Sequence, residues 1–153
     1  MHLSEEGLEL IKRSEGFRAQ VYRDVAGFPT VGYGHLIRHT ESFPVAITEP
    51  QAVALLASDV QAAELSVSRL VKVELTQGQF DALVDFCFNL GAGRLAGSTL
   101  LRELNAGRYD AAAGQLLSWD HAGGAVIAGL KARRQAELGL WMGSAGPPKT
   151  EAA

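Results

Sequence analysis

The chain has 153 residues, 47% of them hydrophobic and 20% charged, with a formal net charge of −3 and a single cysteine. That length suits one domain with enough interior to fold without a disulfide or a metal. One cysteine excludes an intrachain disulfide and a cysteine-rich zinc site, and the acidic balance argues against a dedicated nucleic-acid binder. No stretch approaches the ~18 apolar residues of a membrane span. The first residues, Met1 to Glu6, lack the apolar core of a secretory signal, so the expectation is synthesis in the cytoplasm without a signal peptide.

Ser4 reads as the N-cap of a first helix running to about Ser14, with Leu3 and Leu8 at hydrophobic-staple spacing. Gly16, Gly27, Pro29, Gly32 and Gly34 are then interleaved with Val21, Tyr22, Thr30, Val31 and Tyr33. Glycines among β-branched and aromatic residues predict a small antiparallel sheet across residues 17–37. After a loop over 38–47, Thr48-Glu49-Pro50-Gln51 is a capping box with proline in the first turn. Val53, Leu56, Val60, Ala63 and Val67 follow at helical spacing. Thr76 and Gln79 form a second capping box, opening a helix with Phe80, Leu83, Val84, Cys87 and Phe88 on one face and Gly91 as its stop. Ser98 is expected to cap a short helix ending near Gly107, and Asp110 another ending near Trp119. Gly123-Gly124 reads as a break before a last helix with Leu130, Arg134, Glu137, Leu138 and Trp141. The sequence is a mostly helical α+β domain over residues 1–142, with a disordered tail expected over 143–153.

Several familiar signals carry no chemistry here. Gly91-Ala92-Gly93-Arg94-Leu95-Ala96 matches a dinucleotide string but follows a helix rather than a strand, so it reads as a helix-ending turn. His35 and His39 lie in the expected sheet and its exit loop, outside any metal motif. Cys87 sits on an apolar stripe and reads as a buried thiol. Asp120-His121 has no paired serine nucleophile.

Glu15, Asp24 and Thr30 form the one constellation with chemical content. Glu15 falls where the first helix stops, Asp24 at a strand end or turn, and Thr30 six residues later. Glycosidic cleavage needs a proton donor to the leaving oxygen and a second carboxylate that activates water or attacks. A threonine hydroxyl can orient that water, since it both donates and accepts. Spacing alone does not separate such a pair from an ordinary helix-end glutamate and turn aspartate.

The segment Glu15 to His35, EGFRAQVYRDVAGFPTVGYGH, closely resembles the active-site segment of the phage-type lysozymes, the endolysins of glycoside hydrolase family 24. The E-x8-D-x5-T frame and the following Gly-Tyr-Gly-His are intact. The resemblance continues through Ile47-Thr48-Glu49, Gln79 to Leu83, Phe88-Asn89-Leu90-Gly91, Ser98 to Leu101 and Leu104 to Gly107. It closes on Gly129-Leu130-x-x-Arg133-Arg134-x-x-Glu137 with Leu140-Trp141, so it covers about 140 residues.

The resemblance implies a lysozyme-like two-lobed fold and hydrolysis of the β-1,4 bond between N-acetylmuramic acid and N-acetylglucosamine in peptidoglycan. Glu15 matches the general acid, which must keep its proton near neutral pH. Asp24 matches the second, ionised carboxylate, and Thr30 the residue that places water. Inverting carboxylate spacing is expected. Leu36, Phe88 and Asn89 match positions near the saccharide, with Asn89 suited to an N-acetyl group. His35 is expected to pair with Asp59 as a structural link. Lys131, Arg133 and Arg134 put charge on the last helix, to neutralise Glu15, to meet the anionic wall, or as a solvated face. The expectation is a monomer that needs no cofactor or metal, binds no nucleic acid, inserts in no membrane, and reaches the wall in the periplasm through a holin. A lytic transglycosylase and an inactive peptidoglycan-binding domain are the alternatives. Two departures stand out: Phe28-Pro29 just before Thr30, where many relatives place an aromatic residue, and a long loop at Thr40 to Pro44.

Overall fold

The computed structural model describes residues 1–143. It contains seven helices and two small antiparallel sheets among these residues. The chain divides into two compact units, Glu9–Ala62 and a second formed by residues 1–8 with the chain from Ala63 onward.

The smaller unit begins inside α1 (Glu5–Glu15), whose Leu10 and Ile11 are buried. A three-stranded antiparallel sheet follows, made of β1 (Arg18–Arg23), β2 (Pro29–Gly32) and β3 (His35–Leu36) in that order. A bulge between Arg18 and Tyr22 shifts the β1–β2 register, as bulges often do in small, strongly twisted sheets. Val31, Tyr33, Ile47, Ala52 and Leu56 of this unit are all buried. The expected capping box opens α2 (Glu49–Leu70): Thr48 N–H donates to Gln51 Oε1 at 2.8 Å, and Gln51 N–H to Thr48 Oγ1 at 3.3 Å. These reciprocal bonds satisfy backbone donors that a helix start otherwise leaves unpaired.

The larger unit is built around α3 (Gln77–Leu90), which packs on α7 (Ala128–Gly143). The Thr76–Gln79 box is complete, and residues 78–87 are all buried. Over this stretch α3 presents no face to solvent, and even Asp81 and Asp85 are buried, as suits the unit's central rod. Around it, α5 (Thr99–Asn105), capped by Ser98, packs on α6 (Tyr109–Leu116). Leu95, Leu100, Leu104 and Leu116 are sealed from solvent.

Three local expectations are corrected. The residues after Gly91 form a further short helix, α4 (Ala92–Ala96), rather than a turn alone. Arg108, not Asp110, is the N-cap of α6, with Asp110 inside the first turn, and the helix ends at Leu116. Gly123-Gly124 is not a plain break but the turn of a hairpin joining β4 (His121–Ala122) to β5 (Ala125–Val126). Both glycines have positive φ, 59° and 80°, the conformation a two-residue hairpin turn demands. Gly143 closes α7, and the rest of the expected tail, 144–153, lies outside the described residues.

Candidate active site

Helix α1 stops at Glu15, where Gly16 N–H closes on Lys12 O at 2.9 Å. The Glu15 side chain is half-buried and lies against Gly34 in the β2–β3 turn. A Cβ at Gly34 would stand 2.8 Å from Glu15 Oε2, and φ there is +73°. Both the approach and the backbone therefore require glycine. The Gly-Tyr-Gly-His string thus has a physical reason: it lets a carboxyl group approach a backbone turn.

Asp24 follows the end of β1. Its Oδ1 accepts from Ala26 N–H and Phe28 N–H, both at 2.9 Å. Its own N–H donates to Phe28 O, and its carbonyl accepts from Gly27 N–H, again at 2.9 Å. This is an Asx turn, with the side chain standing in for a backbone acceptor. It fixes the carboxylate, which has no cationic partner among the described residues. The Phe28-Pro29 departure fits this turn: Phe28 is exposed, and Pro29 opens β2 opposite Arg23, the strand position where a missing N–H is tolerated.

Thr30 is 2% exposed, and its hydroxyl donates to Phe28 O at 2.9 Å. In register, Tyr22 lies opposite Thr30 on one side and Leu36 opposite Thr30 on the other. Directly opposed residues share a face, so the sheet aligns Tyr22, Thr30 and Leu36 across three strands. Leu36 is exposed on that row. Tyr22 was not singled out from the sequence. Its phenol pKa is raised, first by burial and then by the charge of Glu15, with Asp24 adding and Arg18 opposing. Tyr22 therefore lies in the field of both carboxylates, while the Arg18 guanidinium stacks 4.5 Å from its ring centroid. The signal available beforehand was its place opposite Thr30 in a hairpin closed at Asp24.

His35 faces the other way. Its Nδ1 lies 2.8 Å from Asp59 Oδ2, and its Nε2 lies 3.0 Å from Glu41 Oε1. Glu41 also accepts from Arg38 N–H at 2.9 Å, and the Phe43 ring meets His35 edge-on. The long 38–47 loop thus supplies two groups around one buried imidazole. Burial pulls the His35 pKa down, but the two carboxylates outweigh it and the value is raised. Only an imidazolium has a proton for each of the two carboxylates.

Phe88 and Asn89 stand near the end of α3, both half-buried. Asn89 Oδ1 accepts from Arg134 at 2.8 Å. The charge expected on the last helix divides. Lys131 is exposed, but Arg133 and Arg134 are buried, so they are not a solvated face. Arg133 donates to Asp85 through Nη2 at 2.8 Å and Nε at 3.0 Å, and Arg134 to Glu137 at 2.7 Å. Glu137 has its pKa raised well above the usual range, first by burial and then by the neighbouring Asp85 carboxylate. Among the described residues, no group of three His, Cys, Asp or Glu side chains is placed to hold a metal ion.

Residues 12–137 match the family model described as phage lysozyme. The chain is 41% identical over 145 residues to the endolysin of Acyrthosiphon pisum secondary endosymbiont phage 1, covering 92% of this chain and 98% of that one. It is 44% identical over 144 residues to the endolysin of Bacillus phage B103, covering 93% of this chain but 54% of the relative's length. Among solved structures, the endolysin from Escherichia coli O157:H7 phage FAHEc1 aligns with a TM-score of 0.86 at 35% identity, covering 96% of this chain and 97% of that one. The muramidase domain of SpmX from Asticaccaulis excentricus aligns at 0.84 with 38% identity, covering 93% and 99%. The chain belongs to the phage lysozyme family.

Proposed function

We propose that the chain is an endolysin, a muramidase that hydrolyses the β-1,4 bond between N-acetylmuramic acid and N-acetylglucosamine in peptidoglycan. The observation that carries this reading is the held pair of Asp24 and Thr30 in the same small unit as Glu15. Glu15 donates a proton to the leaving glycosidic oxygen. Asp24 has one oxygen committed to two backbone amides, which leaves the other to take a proton from water. Thr30 has already given its hydroxyl hydrogen to Phe28 O, so it meets the same water as an acceptor. A water that donates to both Asp24 and Thr30 keeps a lone pair for the anomeric carbon, which is an inverting geometry. Leu36 and Phe88 offer apolar faces to sugar rings and Asn89 a polar group. His35 and Asp59 serve as structure, holding the sheet to α2.

A lytic transglycosylase needs no water-activating group, so the two residues arranged to hold water favour hydrolysis over that alternative and over inert wall binding. Access to the wall in the periplasm through a holin, and action as a monomer, complete the proposal. No described helix is long and apolar enough to cross a membrane. Glu15→Gln is expected to abolish clearing of permeabilised Gram-negative cells while wall binding persists; unchanged lysis would refute the role of Glu15. The anomer formed first should be α, and a β product would refute inversion. Lysis from inside intact cells is expected only when a holin is co-expressed, and lysis without one would remove that step.

A further inference from the structure

The Phe28 N–H that donates to Asp24 Oδ1 at 2.9 Å belongs to the Gly27–Phe28 peptide unit. The carbonyl of the same unit, Gly27 O, accepts from Arg23 Nη1 at 2.7 Å. A peptide unit is planar, so holding its carbonyl also holds the direction of its N–H. Hydrogen bonds in series polarise one another, and this series starts from a guanidinium. Arg23 is thus linked to the Asp24 carboxylate through one peptide unit. The next carbonyl, Phe28 O, accepts from Asp24 N–H and from Thr30 Oγ1, both at 2.9 Å. The turn that Arg23 closes therefore carries Thr30 as well. Arg23 is exposed and stands opposite Pro29 in the β1–β2 pairing. Neighbouring strand residues point to opposite faces, so Arg23 lies off the row of Tyr22, Thr30 and Leu36.

We propose that Arg23 is a positioning residue that aims the Asp24 carboxylate at its water through the Gly27–Phe28 peptide unit. This deepens the muramidase reading and rests on it. A cation that met the anionic wall directly would govern binding and show in KM. A cation that holds the carboxylate in place governs the chemical step and shows in kcat.

Arg23→Met tests this, because it keeps most of the side chain and loses the donor. The thermal midpoint should hold, while kcat on purified sacculi falls roughly 3–10-fold and KM stays within about 2-fold. Arg23→Lys still donates a charged hydrogen bond and should recover most of the loss. In an Asp24→Asn background, Arg23→Met should cost nothing further, because its effect passes through the lost carboxylate. A raised KM with unchanged kcat, or the same fold loss in both backgrounds, would overturn the proposal. Amide hydrogen exchange gives a reading that needs no activity. Arg23→Met should speed exchange at the Phe28 amide by about 3-fold or more. The Ala26 amide, which also donates to Asp24, should change less, since Arg23 does not hold the carbonyl of its peptide unit. Equal changes at both amides, or none at Phe28, would overturn the proposal. A wild type without activity on sacculi would refute the muramidase reading, and the exchange comparison would still judge the link from Arg23 to Asp24.

Discussion

In residues 9–62 the Asp24 carboxylate is half-buried and fixed by two backbone amides, whereas in the helical unit Asp85, Arg134 and Glu137 are sealed from solvent and Asp85 and Glu137 are each bonded to an arginine. The difference separates a carboxylate held by backbone amides from charges held by one another. A carboxylate held by neutral backbone donors keeps one oxygen for water and can exchange a proton during a reaction. Charges buried against each other gain most of their stabilisation from staying paired, and losing one leaves the rest unsolvated. His35 is an intermediate case: it belongs to the smaller unit, yet it is buried between two carboxylates.

Substitutions can break this contrast, and the largest effect is expected at Glu15. Glu15→Gln should lower the rate of wall hydrolysis by roughly 10²–10⁴-fold, far more than any accompanying loss of folded protein explains. A rate loss that merely tracked a loss of stability would place Glu15 with the structural charges. Asp85→Ala should do the reverse. Arg133 loses a two-point partner, and denaturant titration should show destabilisation of about 3–5 kcal/mol. The folded fraction should keep its turnover number.

His35→Asn removes a buried group held by two carboxylates and should cost about 1.5–3 kcal/mol at low pH. Because the folded-state pKa of His35 is raised, its stabilisation is complete below the unfolded value near ~6.5 and fades as pH rises through the folded value. The stability gap between wild type and His35→Asn should therefore narrow with rising pH, and a gap that widened would contradict the imidazolium. Glu41→Gln should have the smallest effect. Glu41 keeps about a quarter of its side chain in solvent, so its contribution is screened, and a loss near ~0.5 kcal/mol that shrinks in salt is expected.

Local chemistry was legible in the sequence, and long-range pairing was not. Ser4, Thr48 with Gln51, and Thr76 with Gln79 announced helix starts because capping involves residues three or four apart. Ser4 O does accept from Leu8 N–H, and Ser4 Oγ from Gly7 N–H. The short helix α4 follows a glycine with no side-chain cap bond, so no residue marked it. The β4–β5 hairpin has two residues per strand, all exposed, too few to show alternation. Glu15, Asp24 and Thr30 were proposed through a motif, while Tyr22 needed the strand register and Glu41 needed the path of a loop. Asp85 was invisible for another reason. It sits within an apolar run on α3, and its partner Arg133 is 48 residues away, a separation that carries no periodic signal.

The central claim is hydrolysis of the glycan by water that Asp24 and Thr30 hold. Mass analysis of muropeptides released from purified sacculi tests it most directly. The expected products end in reducing N-acetylmuramic acid, heavier by one water than the 1,6-anhydro form. Release of 1,6-anhydro products would contradict the account and assign Glu15 to a transglycosylase.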